Sequence, residues 1–391
     1  MATATSRLDR VPGWVGAVIP LGLIAVLVAI FIVTDPIGGL REVPPVEAVA
    51  IERTTMEPGE IDLRIRNDGP DPVTIAQVLV DDAYWAFSIG DNELGRLEGT
   101  TVHLDYPWDE DLPLNIKLVT STGLTIEHEI EVAAATPELD AETLMIYGLL
   151  GIYIGVIPVA VGLLWFPALR RASKRLLGFF LAFTVGLLAF LLIDTIAEGL
   201  ELAGEAGATI NAVGLFASGA LAAVAALTWV GAALNRKGSA MGAGLVLAYL
   251  IAAGIGLHNL GEGLAVGAAL AAGEIALGTF LVVGFALHNT TEGLAIVAPL
   301  GTRSQRPSVW HFVALGAVAG APTILGAWLG GFAFSPVWGA LAFGIAAGAI
   351  AQVIWQIAKS MTGDKPEFRG SVALGFVVGL AVMYVTGLFA A

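Results

Sequence analysis

The chain has 391 residues, 56% of them hydrophobic and 14% charged, with a mean hydropathy of +0.80 and a formal charge of −15. A soluble globular protein carries about 25% charge, so a large share of this chain belongs in lipid. There is no cysteine, which excludes disulfides, thiolate zinc sites, iron–sulfur clusters and cysteine nucleophiles together.

The first element is the apolar run Trp14–Val33, preceded by Arg7 and Arg10. Crossing a bilayer takes roughly 20 residues, so the run reads as an uncleaved membrane anchor. A signal peptide is the rival reading, but no small-residue cleavage site precedes Pro44.

The next segment holds the acidic charge: from Asp35 to Glu142 there are 24 acidic and 6 basic residues. Such a surface repels nucleic acid and anionic lipid and suits a cation-rich exterior. Apolar and polar residues alternate in Ile61–Arg66 and Leu124–Ile130, and turn residues such as Asn67–Pro72 separate the runs. Seven short strands near Ala48, Ile61, Val73, Tyr84, Thr101, Leu114 and Leu124 are expected, forming an antiparallel β-sandwich. The run Leu63–Pro70 followed by Val73–Val80 resembles prokaryotic surface domains of immunoglobulin-like topology. The ligand of the sandwich is not legible.

Eight apolar runs follow: Thr143–Trp165, Leu176–Leu200, Ile210–Leu234, Gly242–Ala272, Ile275–Leu300, Val309–Phe332, Pro336–Ser360 and Gly370–Ala390. Without water, backbone groups must bond internally, so these runs are read as helices. Loop charge sets their direction. Basic loops at Arg170–Arg175, Asn235–Lys237, Arg303–Arg306 and Lys359–Arg369 alternate with loops lacking Lys and Arg at Glu201–Thr209, Gly273-Glu274 and Phe332–Pro336. Basic loops stay in the cytoplasm. A multi-pass protein of the cell membrane is therefore expected, with its N-terminus inside and the sandwich and C-terminus outside. Three domains result: 1–34 anchor, 35–140 sandwich and 141–391 helical unit.

Charged residues inside membrane helices cost about 2.5–3.5 kcal/mol each on the insertion scale and mark function. The fourth and fifth runs each contain one, in repeated frames: Leu257-His258-Asn259-Leu260-Gly261-Glu262-Gly263-Leu264-Ala265, then Leu287-His288-Asn289-Thr290-Thr291-Glu292-Gly293-Leu294-Ala295. His and Glu four residues apart share one helix face. Two such faces meeting offer two imidazoles and two carboxylates, a donor set for a four-coordinate divalent metal. The metal would also offset the cost of burying two carboxylates. A plain reading, hydrogen-bonded His–Glu pairs inside a bundle, suits a single His-x-x-x-Glu better than the same frame twice. Asn259 and Asn289 either add oxygen ligands or bond between helices. Gly263 and Gly293 permit either close helix approach or local unwinding.

This paired motif, in the fourth and fifth of eight helices, resembles the ZIP (ZRT/IRT-like) family of metal transporters over Thr143–Ala391; the anchor and sandwich lie outside the usual pattern. The resemblance implies an eight-helix membrane all-α fold with inverted repeats, a metal site between the fourth and fifth helices, and homodimers. It implies inward movement of zinc, iron, manganese, cobalt or cadmium as the transported substrate, with no separate cofactor. The chain departs from the pattern where Gly261 and Thr291 replace a proline before each motif Glu. Ala321-Pro322 stands where Glu-Pro is common, and Gln356 where a Glu is common. One strong metal site and a weak or absent second one are therefore expected.

Asp194 and Glu198, four apart near the outer end of the second helix, either collect cations for entry or form a solvated helix terminus. Gln352, Gln356 and Lys359 either line an inner exit or serve packing and snorkelling. His311 reads as interfacial, and His103 and His128 as surface residues. Transport leads over a membrane-embedded zinc hydrolase, because His-Glu-x-x-His is absent and no other base stands near the motif. A sensor whose bundle is only an anchor is the third class.

Overall fold

A computed structural model describes residues 13–34, 46–130, 132–206, 210–236, 242–272, 275–302, 307–361 and 369–387. The readings at Arg7, Arg10, Lys237, Arg303, Arg306, 362–368 and the turn Gly273-Glu274 lie outside these residues. The chain divides into two compact units, Met1–Val46 and Glu47–Ala391. The first contains α1 (Gly13–Thr34), a 22-residue helix where the anchor is expected; its stretch Gly22–Phe31 is one of the shorter apolar helices. At 1.5 Å per residue such a helix reaches roughly 30 Å.

The second unit begins with nine strands among the described residues: β1 (Val49–Glu57), β2 (Glu60–Asn67), β3 (Val73–Val80), β4 (Ala83–Trp85), β5 (Ser88–Ile89), β6 (Glu93–Leu94), β7 (Gly99–Leu104), β8 (Leu114–Thr120) and β9 (Thr125–Ile130). The expected seven are present. β5 and β6 are additional and have two residues each, too few for alternation to reveal. One sheet has the order β1-β2-β7-β5; the other runs β4-β3-β8-β9 with β6 on β3. All pairs are antiparallel. Period-2 alternation sends Ile61, Leu63 and Ile65 of β2 and Leu114, Ile116 and Leu118 of β8 into the same core. Burying each side chain contributes up to about 1.5–3 kcal/mol.

Helices make up the rest. The first apolar run becomes α2 (Ala141–Gly151), a π turn (Ile152–Val156), α3 (Ile157–Leu163) and α4 (Phe166–Leu169). Asp140 caps α2 by accepting from the Thr143 N–H at 2.7 Å. Pro158 has no N–H for the Ile154 carbonyl four residues back, and the helix widens into its π turn there. Then come α5 (Lys174–Glu205), α6 (Ala212–Arg236), α7 (Ala243–Ala271) and α8 (Ile275–Val297). The expected single helix Val309–Phe332 is two, α9 (Val309–Gly320) and α10 (Pro322–Ala333). It breaks at Ala321 because Pro322 cannot continue the hydrogen-bond ladder. α11 (Pro336–Met361) and α12 (Arg369–Gly387) end the described chain. Among the described residues, seven helices are long and apolar enough to cross a membrane; Gly370–Val385 of α12 is a shorter apolar stretch. The protein is thus mostly helical, with a small β region before the helices, as befits a multi-pass membrane protein.

α7 packs against α8, α9, α10 and α11; α5 packs against α11 and α12, and α6 against α11. The α7–α10 contact depends on glycine. A Cβ on Gly263 would lie 2.2 Å from the Thr323 carbonyl oxygen, and one on Gly326 would lie 2.1 Å from that of Leu260. Only a residue without a side chain lets the two backbones come so near. The strands meet the helices at two helix ends. Arg53 of β1 donates to the Phe332 carbonyl of α10 at 2.7 Å, and Arg66 of β2 donates to the Ala206 carbonyl closing α5 at 3.0 Å.

Candidate metal site

His258 and Glu262 lie on α7, and His288 and Glu292 on α8, all well inside their helices. The i, i+4 spacing stacks each pair on one face, and the contact of α7 with α8 sets the faces opposite each other. One donor atom from each of the four lies within 4.8 Å of the others. Their exposures are only 5, 3, 5 and 2%.

The two histidines converge on one oxygen. His258 Nε2 is 3.1 Å from Glu262 Oε1, and His288 Nε2 also contacts that oxygen at short range. The imidazole centroids are 6.4 Å apart. Asn289 Nδ2 donates to Glu262 Oε2 at 2.8 Å, so both oxygens of Glu262 are engaged. Glu292 is different: both of its oxygens are buried without a hydrogen-bond partner.

Each asparagine bonds between helices through its amide nitrogen. Asn289 Nδ2 donates to the Ile154 carbonyl at 3.0 Å, the carbonyl that Pro158 leaves without its usual helical donor. Asn259 Nδ2 donates at 3.0 Å to the Ala319 carbonyl, in the last turn of α9 before the Pro322 break. Their Oδ1 atoms remain buried and unpartnered. Interhelical bonding, one of the two readings of these residues, therefore holds for the nitrogen ends and leaves the oxygen ends available as ligands. Gly263 and Gly293 sit in unbroken helices, and a Cβ on Gly293 would lie 2.3 Å from the Val159 carbonyl oxygen. Close approach, not unwinding, is what they provide.

Two threonines were not foreseen. Thr195 of α5 is buried, with its Oγ1 3.1 Å from His258 Nδ1. Thr323, just after Pro322, has a buried unpartnered hydroxyl. A threonine in an apolar helix usually bonds its own turn, so neither carries a local signal.

The remaining expected positions are not gathered into this group of four. Asp194 and Glu198 are exposed on α5. Gln352 is buried on α11, one residue from Val353, which lies against Gly254 one turn before His258. Gln356 is half-buried, its amide nitrogen near Gly231 of α6. Tyr249 and His311 Nδ1 lie 2.9 Å apart. His103 pairs with Asp62 at 2.6 Å and shares with Glu60 a second group of potential metal ligands, largely exposed. His128 is half-buried rather than a surface residue; its Nε2 is 2.8 Å from Thr54 Oγ1, and burial lowers its pKa. Comparison with models of known protein families finds no match, and comparison with curated proteins finds none either.

Proposed function

We propose that the protein is a ZIP-like transporter that moves a divalent transition-metal ion, zinc first among the candidates, toward the cytoplasm through His258, Glu262, His288 and Glu292. The observation that carries this is an excess of buried acceptors. Both oxygens of Glu292 and the Oδ1 atoms of Asn259 and Asn289 make no hydrogen bond, beside two imidazoles that share one carboxylate oxygen. Buried polar groups are nearly always satisfied, and a cation satisfies acceptors in a way that no further donor residue here does. Two nitrogens with several oxygens suit Zn, Cd, Co, Fe(II) or Mn better than soft Cu(I) or the all-oxygen preference of Ca and Mg.

In this reading α2–α4 form the first crossing, α9 with α10 form the sixth, and α12 completes eight. The sandwich lies outside: Arg66 and Arg53 meet the helices at Ala206 and Phe332, within the two loops Glu201–Thr209 and Phe332–Pro336 that lack Lys and Arg. Its strand order, β1-β2-β7-β5 against β4-β3-β8-β9, supports the immunoglobulin-like reading. A homodimer follows from the family resemblance alone.

The test is metal uptake into proteoliposomes. Glu262→Ala and Glu292→Ala should each nearly abolish zinc uptake at matched protein content. Unaltered uptake by both variants would overturn the assignment, and metal-dependent hydrolysis of lipid or peptide in place of uptake would favour the enzyme.

A further inference from the structure

Thr195 lies on α5, 63 residues before His258 and outside the paired motif, with 1% exposure. Its Oγ1 has two neighbours: the Leu191 carbonyl oxygen at 2.7 Å and His258 Nδ1 at 3.1 Å. A hydroxyl carries one hydrogen. Two oxygens at 2.7 Å need that hydrogen between them, so it is committed to Leu191. Thr195 can then only accept from the imidazole, and Nδ1 must carry the ring proton. In a neutral imidazole this leaves Nε2 with a bare lone pair. That Nε2 is the atom 3.1 Å from Glu262 Oε1. A lone pair facing a carboxylate oxygen is repulsive until a cation sits within reach of both.

Resting on the reading of the four residues as a cation site, we infer that Thr195 is a positioning residue: it holds His258 in the Nδ1–H tautomer and so presents Nε2 to the metal. Ordinary back-bonding does not account for the contact. Thr184, Thr228 and Thr290 bond the carbonyl four residues back in the same manner, to Phe180, Val224 and Ala286, and none of them adjoins an imidazole. Valine would fill the same space but give Nδ1–H no acceptor, and the ring would then have no reason to keep its proton there. Serine would keep the acceptor. Groups that orient a metal-binding histidine in this way typically contribute 10–100-fold in metal affinity.

The experiment uses the purified full chain in detergent, zinc competed against a chelating dye, and ¹⁵N-labelled histidine observed by NMR without metal. Thr195→Val should weaken zinc binding about 10–100-fold and lose the pure Nδ1–H signature of His258. Thr195→Ser should retain both. If Thr195→Ser loses as much as Thr195→Val, the hydroxyl is not the agent and the inference falls. If Thr195→Val binds zinc as the unsubstituted chain does while His258→Ala fails to bind, the positioning role is wrong and the metal site stands. If His258→Ala also binds normally, the site itself is misassigned.

Discussion

Glu262 and Glu292 are chemically identical, occupy matching motif positions and are equally buried, yet the same substitution should move them in opposite directions. Glu262 accepts from Asn289 and faces both imidazoles, whereas neither oxygen of Glu292 has a partner. Glu262→Gln turns an amide NH₂ or a neutral carbonyl toward groups arranged for a carboxylate. Weakening the hydrogen bond that Asn289 donates to this buried carboxylate costs about 1.5–3 kcal/mol. Glu292→Gln exchanges a partnerless carboxyl for a neutral amide whose NH₂ brings donors to a site where the Oδ1 atoms of Asn259 and Asn289 are unpartnered; an unsatisfied buried group costs about 1–3 kcal/mol, so the metal-free protein should become more stable by up to roughly that amount. Zinc then reverses the order. At 100 times its dissociation constant a ligand adds about 2.7 kcal/mol to the folded state, and Glu292→Gln should forfeit most of this. The assay is unfolding in detergent with and without a chelator, followed by fluorescence of the nine tryptophans; the chain has no cysteine for thiol dyes. A Glu292→Gln protein that is less stable without metal and still stabilised by zinc would refute the reasoning. Glu292 would then have a partner and would not be a ligand.

Two further outcomes are expected. Gly263→Ala sets a Cβ 2.2 Å from the Thr323 carbonyl oxygen and 2.8 Å from the Ala327 nitrogen, both backbone atoms that cannot rotate away. It should cost about 1–3 kcal/mol, whereas Gly204→Ala, with nothing within 4 Å, should stabilise α5 by about 0.5–1 kcal/mol; the two unfolding midpoints should move apart. Burial lowers the pKa of His128 below its ordinary 6.5, so in the intervening pH range the unfolded chain binds more protons. Stability should therefore be full above about 6.5 and decline as pH falls toward the folded-state value. Comparing pH profiles with His128→Gln should show a shallower decline in the variant, and identical profiles would exclude the effect.

The site was legible where its chemistry is local. His258 with Glu262 and His288 with Glu292 are one-turn pairs that helix geometry brings onto a face, and repetition of the frame implied that the faces meet. Pro322 carries the signal for the break between α9 and α10, but the apolar run around it is continuous and reads as one helix. Nothing local distinguished Thr195 from Thr184, because its partner is far away in sequence and its back-bond is common to both. The destinations of Asn259 and Asn289 were hidden for a similar reason: the carbonyls they meet lie on other helices, Ala319 in the last turn of α9 and Ile154 opposite Pro158. Strands β1–β4 and β7–β9 were legible from alternation and turn spacing, while β5 and β6 have two residues each and are too short to alternate. Asp194 and Glu198 are as exposed as either of their readings requires, so exposure does not choose between them.

Arg53 and Arg66 bear on the site from the other side. A cation donating to the last carbonyls of a helix meets the negative end of its dipole, and each arginine does so on a different helix. Arg66 is 6% exposed and divides its guanidinium among Glu52 at 2.6 Å, Asp68 at 2.8 Å and the Ala206 carbonyl at 3.0 Å. Burial alone would lower its pKa, but hydrogen bonds and charge from Glu52 and Asp68 outweigh that and leave it raised. The two arginines stand on neighbouring strands of one sheet, with Arg53 opposite Arg64 and Arg66 opposite Ala50. Their spacing is therefore set by the β1–β2 ladder, and so is the spacing of the helix ends they grip. α5 carries Thr195, while α10 is locked onto α7 through Gly263 and Gly326. To slide α5 past α10, the protein must bend the β1–β2 pair or release one arginine. A hydrogen bond from a charged group is worth about 1.5–3 kcal/mol, so the β1–β2 pair resists relative movement of the two helices whose side chains and backbone frame His258 and Glu262.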